Sequence, residues 1–88
     1  MTIINYFIQY NMDINNMDLY NNKFNIETLE KNIKKLDLNT ILSTQILTVD
    51  FCINYIMNEK YQCFGEEDID IFNILKKQKH LKFKDFFD

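Results

Sequence analysis

Apolar residues recur at helical spacing most clearly between Asp37 and Met57. Leu38, Ile41 and Leu42 fall on one face and, after Gln45-Ile46-Leu47, a second set follows at Phe51, Cys52, Tyr55 and Ile56. The pattern predicts a helix, a turn and a helix, with Asp37 capping the first start and Thr48 with Asp50 opening the second. Upstream, Asn25 can cap a helix in which Ile26, Leu29 and Ile33 form the buried stripe. Glu27 and Glu30 favour its positive end, Lys34 and Lys35 its negative end. Before that, Asp13 is placed to cap a short segment carrying Ile14, Met17 and Leu19, which Asn21-Asn22-Lys23 should end. At the start, Ile3, Ile4, Phe7 and Ile8 read as one helical face, while Thr2, Ile4, Tyr6, Ile8 and Tyr10 alternate as a strand would; helix is preferred.

Downstream, the stripe is lost from Asn58 to Gly65, which holds the single glycine and is expected to be the longest loop. Glu66, Glu67 and Asp68 then restart a helix at its acid-preferring end, with Ile71, Ile74 and Leu75 inward and Lys76, Lys77 and Lys79 towards its C-terminus. Leu81, Phe83, Phe86 and Phe87 supply a last apolar helical turn or two.

Three short boxes share a form: Asp13-Ile14-Asn15-Asn16-Met17, Asp37-Leu38-Asn39-Thr40-Ile41 and Asp68-Ile69-Asp70-Ile71-Phe72. They start 24 and then 31 residues apart, the longer spacing explained if the 58–65 loop is an insertion. Each is followed by a polar turn and another apolar segment, at Ile26 to Ile33, Val49 to Ile56 and a truncated Lys82 to Phe87. The expected architecture is an all-α single domain spanning residues 1–88, built from about three imperfect helix-turn-helix repeats stacked as a small solenoid.

The central unit resembles the short helical-pair repeats found in tandem in proteins of large DNA viruses, with the pattern Trp-x-x-Ile-Ser-x-x-Gln-x-Leu-Ser-x-x-Phe-Ile. Ile41, Gln45, Leu47, Thr48, Phe51 and Cys52 occupy matching places, and Leu38 stands where the aromatic would be. The third unit departs from the pattern, because Gln78 and Leu81 are one residue further apart than Gln45 and Leu47. The resemblance is carried mainly by residues 37–57. It implies a helical, non-catalytic recognition scaffold and brings no functional residue with it.

Composition narrows the class. At 88 residues the chain makes one domain at most and buries only about two thirds of the surface its unfolded form exposes. Apolar residues at 47%, one glycine and no proline exclude a disordered, collagen-like or turn-rich β protein. All ten basic residues are lysine, and Asn and Ile abound, a codon bias of AT-rich genomes such as those of many phages, mobile elements and large DNA viruses. A net charge of -3 argues against a general phosphate binder and so against nucleic acid. Two cysteines, one on an apparent helix face, fit reduced thiols in a cytoplasm rather than a disulfide framework. The start lacks a secretory pattern, and no apolar run approaches the roughly 20 residues of a membrane span. A cytoplasmic protein, with no membrane partner, is expected.

Candidate chemistry is thin. His80 with Cys52 and Cys63 makes no zinc-like spacing, and Cys63 lacks an adjacent base, so no metal, cofactor or catalytic residue is expected. Glu66, Glu67 and Asp68 read as a helix start rather than a cation loop. Lys76 and Lys77 belong with Lys79, Lys82 and Lys84 to the one basic stretch, which could meet phosphate or an acidic protein. Phe83, Phe86 and Phe87 either fold back onto Ile71, Ile74 and Leu75, which is preferred, or meet another chain. These eight residues are the candidate partner-binding set.

The expected function is a non-catalytic protein-protein interaction module, encoded by a virus, phage or mobile element and acting on a host protein, with a homodimer as one form of association. An alternative is an acidic inhibitor of a nucleic-acid-handling machine, of the anti-CRISPR or anti-restriction type. A third is a small nucleic-acid binder using Lys76 to Lys84.

Overall fold

The computed structural model describes residues 13–63 and 65–87. The alternative readings of the first ten residues therefore lie outside the described part. Among these residues five α-helices follow one another: α1 (Asn16–Asn21), α2 (Ile26–Lys31), α3 (Leu38–Thr44), α4 (Val49–Phe51) and α5 (Ile71–Lys77). A 3-10 turn at Ile33–Lys35 extends α2, a π-helical turn at Cys52–Ile56 continues α4, and a second 3-10 turn spans Phe83–Phe86. The chain is all-α, and among the described residues there is no strand.

The helices are short, so their caps matter more than propensity. Asp37 accepts the Thr40 N–H at 3.1 Å and the Thr40 hydroxyl at 2.7 Å, and Thr48 accepts the Phe51 N–H at 3.1 Å. Asn25 accepts the Thr28 N–H at 2.9 Å. These are the caps the sequence predicts. At α1 the cap is Asn15 rather than Asp13: Asn15 and Asp18 bond each other's backbone N–H reciprocally at 3.1 and 2.9 Å. Asp13 instead pairs with Lys35. The acidic restart is corrected in the same way. Helix α5 begins at Ile71, capped by Asp70 through its reciprocal pair with Asn73, and Glu66, Glu67 and Asp68 precede it in the connecting segment.

The core joins Leu19, Leu29, Leu38, Ile41, Leu42, Leu47, Phe51, Cys52, Ile56 and Ile74, each at most 2% exposed. Helix α3 sits at its centre, packing on α1, on the π turn after α4 and on α5. Ile14 and Leu19 face this core, but Met17, expected on the same face, is 71% exposed, because Ile14 lies before the helix and Met17 stands two positions, about 200° around it, from the inward Leu19. Ile71 and Leu75 are half-buried, and Ile74 alone of that stripe is fully inside.

The spacings at which buried and capping positions recur also differ from the box spacing. Leu19, Phe24, Leu29 and Ile33 correspond to Leu42, Leu47, Cys52 and Ile56, all buried and each pair 23 residues apart. The caps Asp37 and Asp70, the buried Ile41 and Ile74, and the buried Gln45 and Gln78 are each 33 apart. The boxes had placed these steps at 24 and 31 because they aligned the first acid rather than the residue that caps.

Candidate interaction surface

Two glutamines stitch the helices together. Gln45, at the C-terminus of α3 and 3% exposed, accepts the Phe24 N–H at 2.8 Å through Oε1. Its Nε2 donates to the carbonyls of Leu19 at 3.0 Å and Asn22 at 2.9 Å. Gln78, at the C-terminus of α5 and also 3% exposed, accepts the Leu47 N–H at 2.8 Å and donates to Leu42 at 2.8 Å and Gln45 at 2.7 Å. The three backbone groups held by Gln78 are those held by Gln45 moved on by 23 residues. His80 adds an Nε2 bond to the Leu47 carbonyl at 2.7 Å, so Leu47 is held on both backbone groups. An amide side chain suits this task because it offers one acceptor and two donors at a single tip.

Glu66 is another buried polar group with a structural task. It is 2% exposed, and its two carboxyl oxygens accept the N–H groups of Leu38 and Cys63, both at 2.7 Å. The segment before α5 is thereby tied to the start of α3. Burial, and then a hydrogen bond to Asp37, push the Glu66 carboxyl above its ordinary range, while that bond pulls Asp37 below its own. Gly65 next to it has φ +90, a left-handed turn that only glycine adopts without strain. Asn32 does the corresponding work in the first unit, accepting the Ile14 N–H at 3.1 Å.

The candidate partner-binding residues separate in the structure. Glu66 is inside, whereas Glu67 and Asp68 are exposed. Lys76 and Lys77 are exposed on the last turn of α5. Of the phenylalanines, Phe86 packs against the core as preferred, whereas Phe83 is 48% and Phe87 68% exposed. They are joined by Phe72 on α5, 67% exposed, which sequence reading did not single out. The Phe72 and Phe83 rings stack with centroids 6.1 Å apart, and Phe83 meets Phe87 at 4.8 Å. The signal for Phe72 was its position two residues after the Asp70 cap, on the outer side of the first turn.

A cleft of about 750 Å³ opens on another side, lined by Asp13, Glu30, Lys34, Lys35, Tyr55 and Tyr61 among others. Its charges are mixed, with Asp13 paired to Lys35 and the Tyr55 phenol pushed up by burial and then by Glu30. The Tyr55 ring meets Phe51 at 4.9 Å and Tyr61 at 5.0 Å, both in tilted geometry, which anchors both tyrosines to the core. Of the thiols, Cys52 is buried, with its pKa pushed up to about 12, and Cys63 is exposed. Among the described residues no group of three His, Cys, Asp or Glu side chains is arranged to hold a metal ion. Nor is any helix among them long and apolar enough to cross a membrane. Comparison with protein-family models, with curated proteins and with solved structures gives no match.

Proposed function

We propose that this chain is a non-catalytic protein-interaction module built of stacked helical pairs, and that it contacts its partner through Phe72, Phe83 and Phe87. The observation that carries the reading is the ring cluster. Burying such a side chain contributes about 1.5–3 kcal/mol, yet these three rings lie together on the surface while Phe86, one residue away from Phe87, packs inward. The stacked-unit part rests on the equivalent bonds of Gln45 and Gln78 and on the matching buried positions 23 and 33 residues apart. A host-protein target of a virus, phage or mobile element is the setting we propose from the lysine-only, Asn- and Ile-rich composition. The two free thiols suit a reducing cytoplasm.

The acidic-inhibitor reading would draw on Glu67 and Asp68 but not on Glu66, which turns inward. Affinity purification from the encoding host, with wild type beside a Phe83→Ser/Phe87→Ser variant of unchanged circular dichroism, tests the proposal. Proteins retained by wild type and lost from the variant are expected. An identical set of retained proteins would place the contact elsewhere on the molecule.

A further inference from the structure

Charge divides this molecule unevenly. Residues 70–88 hold five lysines and three carboxylates, Asp70, Asp85 and Asp88, a net of +2, whereas residues 1–69 hold five lysines and ten carboxylates, a net of -5. The five lysines of the positive part, Lys76, Lys77, Lys79, Lys82 and Lys84, are all exposed. Lys76 lies four residues after Phe72 and so on the same side of α5, while Lys82 and Lys84 flank Phe83. Phe72, Phe83 and Phe87 thus form an exposed apolar patch on a segment whose other exposed side chains are rich in lysine, the composition of an interface core with a charged rim.

We propose that this face takes an acidic, amphipathic protein segment, its apolar side chains on Phe72, Phe83 and Phe87 and its carboxylates against the exposed lysines. The inference rests on the reading of the face as a protein contact, and charge selects the partner. A second copy docked by the same face about a two-fold axis would set one lysine-rich segment against another, which electrostatic complementarity disfavours. Single-stranded nucleic acid also meets aromatic rings and lysines, but it needs ring faces open for its bases. The Phe83 ring is engaged by Phe72 at 6.1 Å and by Phe87 at 4.8 Å. A polyanion leaving the face must also cross a molecule only 36 × 28 × 21 Å in extent, whose remainder is strongly negative, within a few screening lengths of about 8 Å. A short acidic segment confined to the face avoids that repulsion.

Selection from a displayed library of random peptides of about a dozen residues, on the full chain and on Phe83→Ser/Phe87→Ser, tests this, followed by fluorescence anisotropy with the recovered peptides and with oligothymidylate. The expected peptides are rich in Asp and Glu interleaved with Phe, Leu or Trp. Their binding should weaken roughly tenfold or more in the serine variant, in a folded Lys76→Glu/Lys84→Glu variant and at high salt. Neutral or basic peptides that still depend on the phenylalanines would overturn the acidic partner and leave the module reading standing. Peptides indifferent to the serine substitutions, or no enrichment on wild type over the variant, would overturn both. Oligothymidylate binding more tightly than any peptide, with the same lysine dependence, would assign the face to nucleic acid instead.

Discussion

The chain after Gln45 and the chain after Gln78 begin alike and end differently. Both glutamines close a helix whose cap lies eight residues earlier, and both reach back to an earlier turn. After Gln45 the backbone passes to Leu47, 1% exposed, and the Gln45 carbonyl is taken by the side chain of Gln78. The Gln78 carbonyl accepts instead from the nearby Leu81 N–H at 3.0 Å, and the chain passes to a half-buried Leu81 and then to exposed rings. The local device is the same at both places. What differs is whether another unit lies against the turn, so the burial of an apolar residue following such a glutamine is decided by its neighbour and not by its own sequence. The first joint is closed by the rest of the chain, and the second leaves its rings exposed.

The sharpest way to break the comparison is to empty the closed joint. Leu47→Ala and Phe51→Ala, at 1% and 2% exposure, should each destabilise by about 2–5 kcal/mol in urea unfolding, as core truncations do. A melt unchanged by either would mean the joint is not packed as described. Next in size comes Gln45→Ala. It strands the Phe24 N–H and the carbonyls of Leu19 and Asn22, and buried groups without partners cost about 1–3 kcal/mol each. Water reaching the turn offsets part of this, so a net loss of about 2–4 kcal/mol is expected. Gln45→Glu should be no better, since a carboxylate cannot donate to two carbonyls.

The tie between the segment before α5 and α3 sharpens the picture through pH. The raised Glu66 contributes stability that is fully present below its ordinary value of 4.5 and lost as pH rises through its higher folded value. The lowered Asp37 contributes stability present above its ordinary 3.8 and lost as pH falls through its lower folded value. The pair is therefore best placed when Glu66 holds a proton that Asp37 accepts, and its contribution declines towards neutral pH. Glu66→Gln, which stays neutral, removes the decline on that side. Urea melts at intervals from mildly acid to neutral pH should show the wild type losing ground relative to the variant as pH rises. A wild type that gains ground instead would mean that the two backbone N–H groups outweigh burial at this carboxyl.

Much of the fold was legible because its signals are local. Asn25, Asp37 and Thr48 cap as their spacing predicts, and the stripe through Leu38, Ile41, Leu42, Phe51, Cys52 and Ile56 is the core. The registers at Asp13 and at Glu66 to Asp68 were misplaced because several acids stand close together there, and only reciprocal bonding chooses among them. The roles of Gln45, Gln78 and Glu66 were not legible, since each bonds backbone groups from 21 to 36 residues away. Equal spacing of the two glutamines from their caps was the available hint. The π turn after Phe51 leaves no mark in the apolar pattern, because Cys52 and Ile56 would face inward from an α-helix as well. At the candidate surface, Phe83 and Phe87 were visible as an apolar end, but their split from Phe86 depends on the tight 3-10 turn that holds them.

The smallest expected effect is the one that most directly separates core from contact surface. Phe86 and Phe87 are adjacent and chemically identical, yet Phe86 packs on the core while Phe87 is 68% exposed and touches Phe83 at its ring. Phe86→Ser removes a half-buried ring and should cost about 1–2 kcal/mol, roughly half the value of full burial. Phe87→Ser removes mainly solvent-facing area, so its change should stay within about 0.5 kcal/mol. Loss of one tilted ring contact would account for a small deficit, and reduced self-association of exposed rings for a small gain in recovery on refolding. Paired thermal melts of the two variants measure the difference. Equal losses would mean that Phe87 is covered in solution, and that the aromatic face is part of the fold rather than a surface kept for a partner.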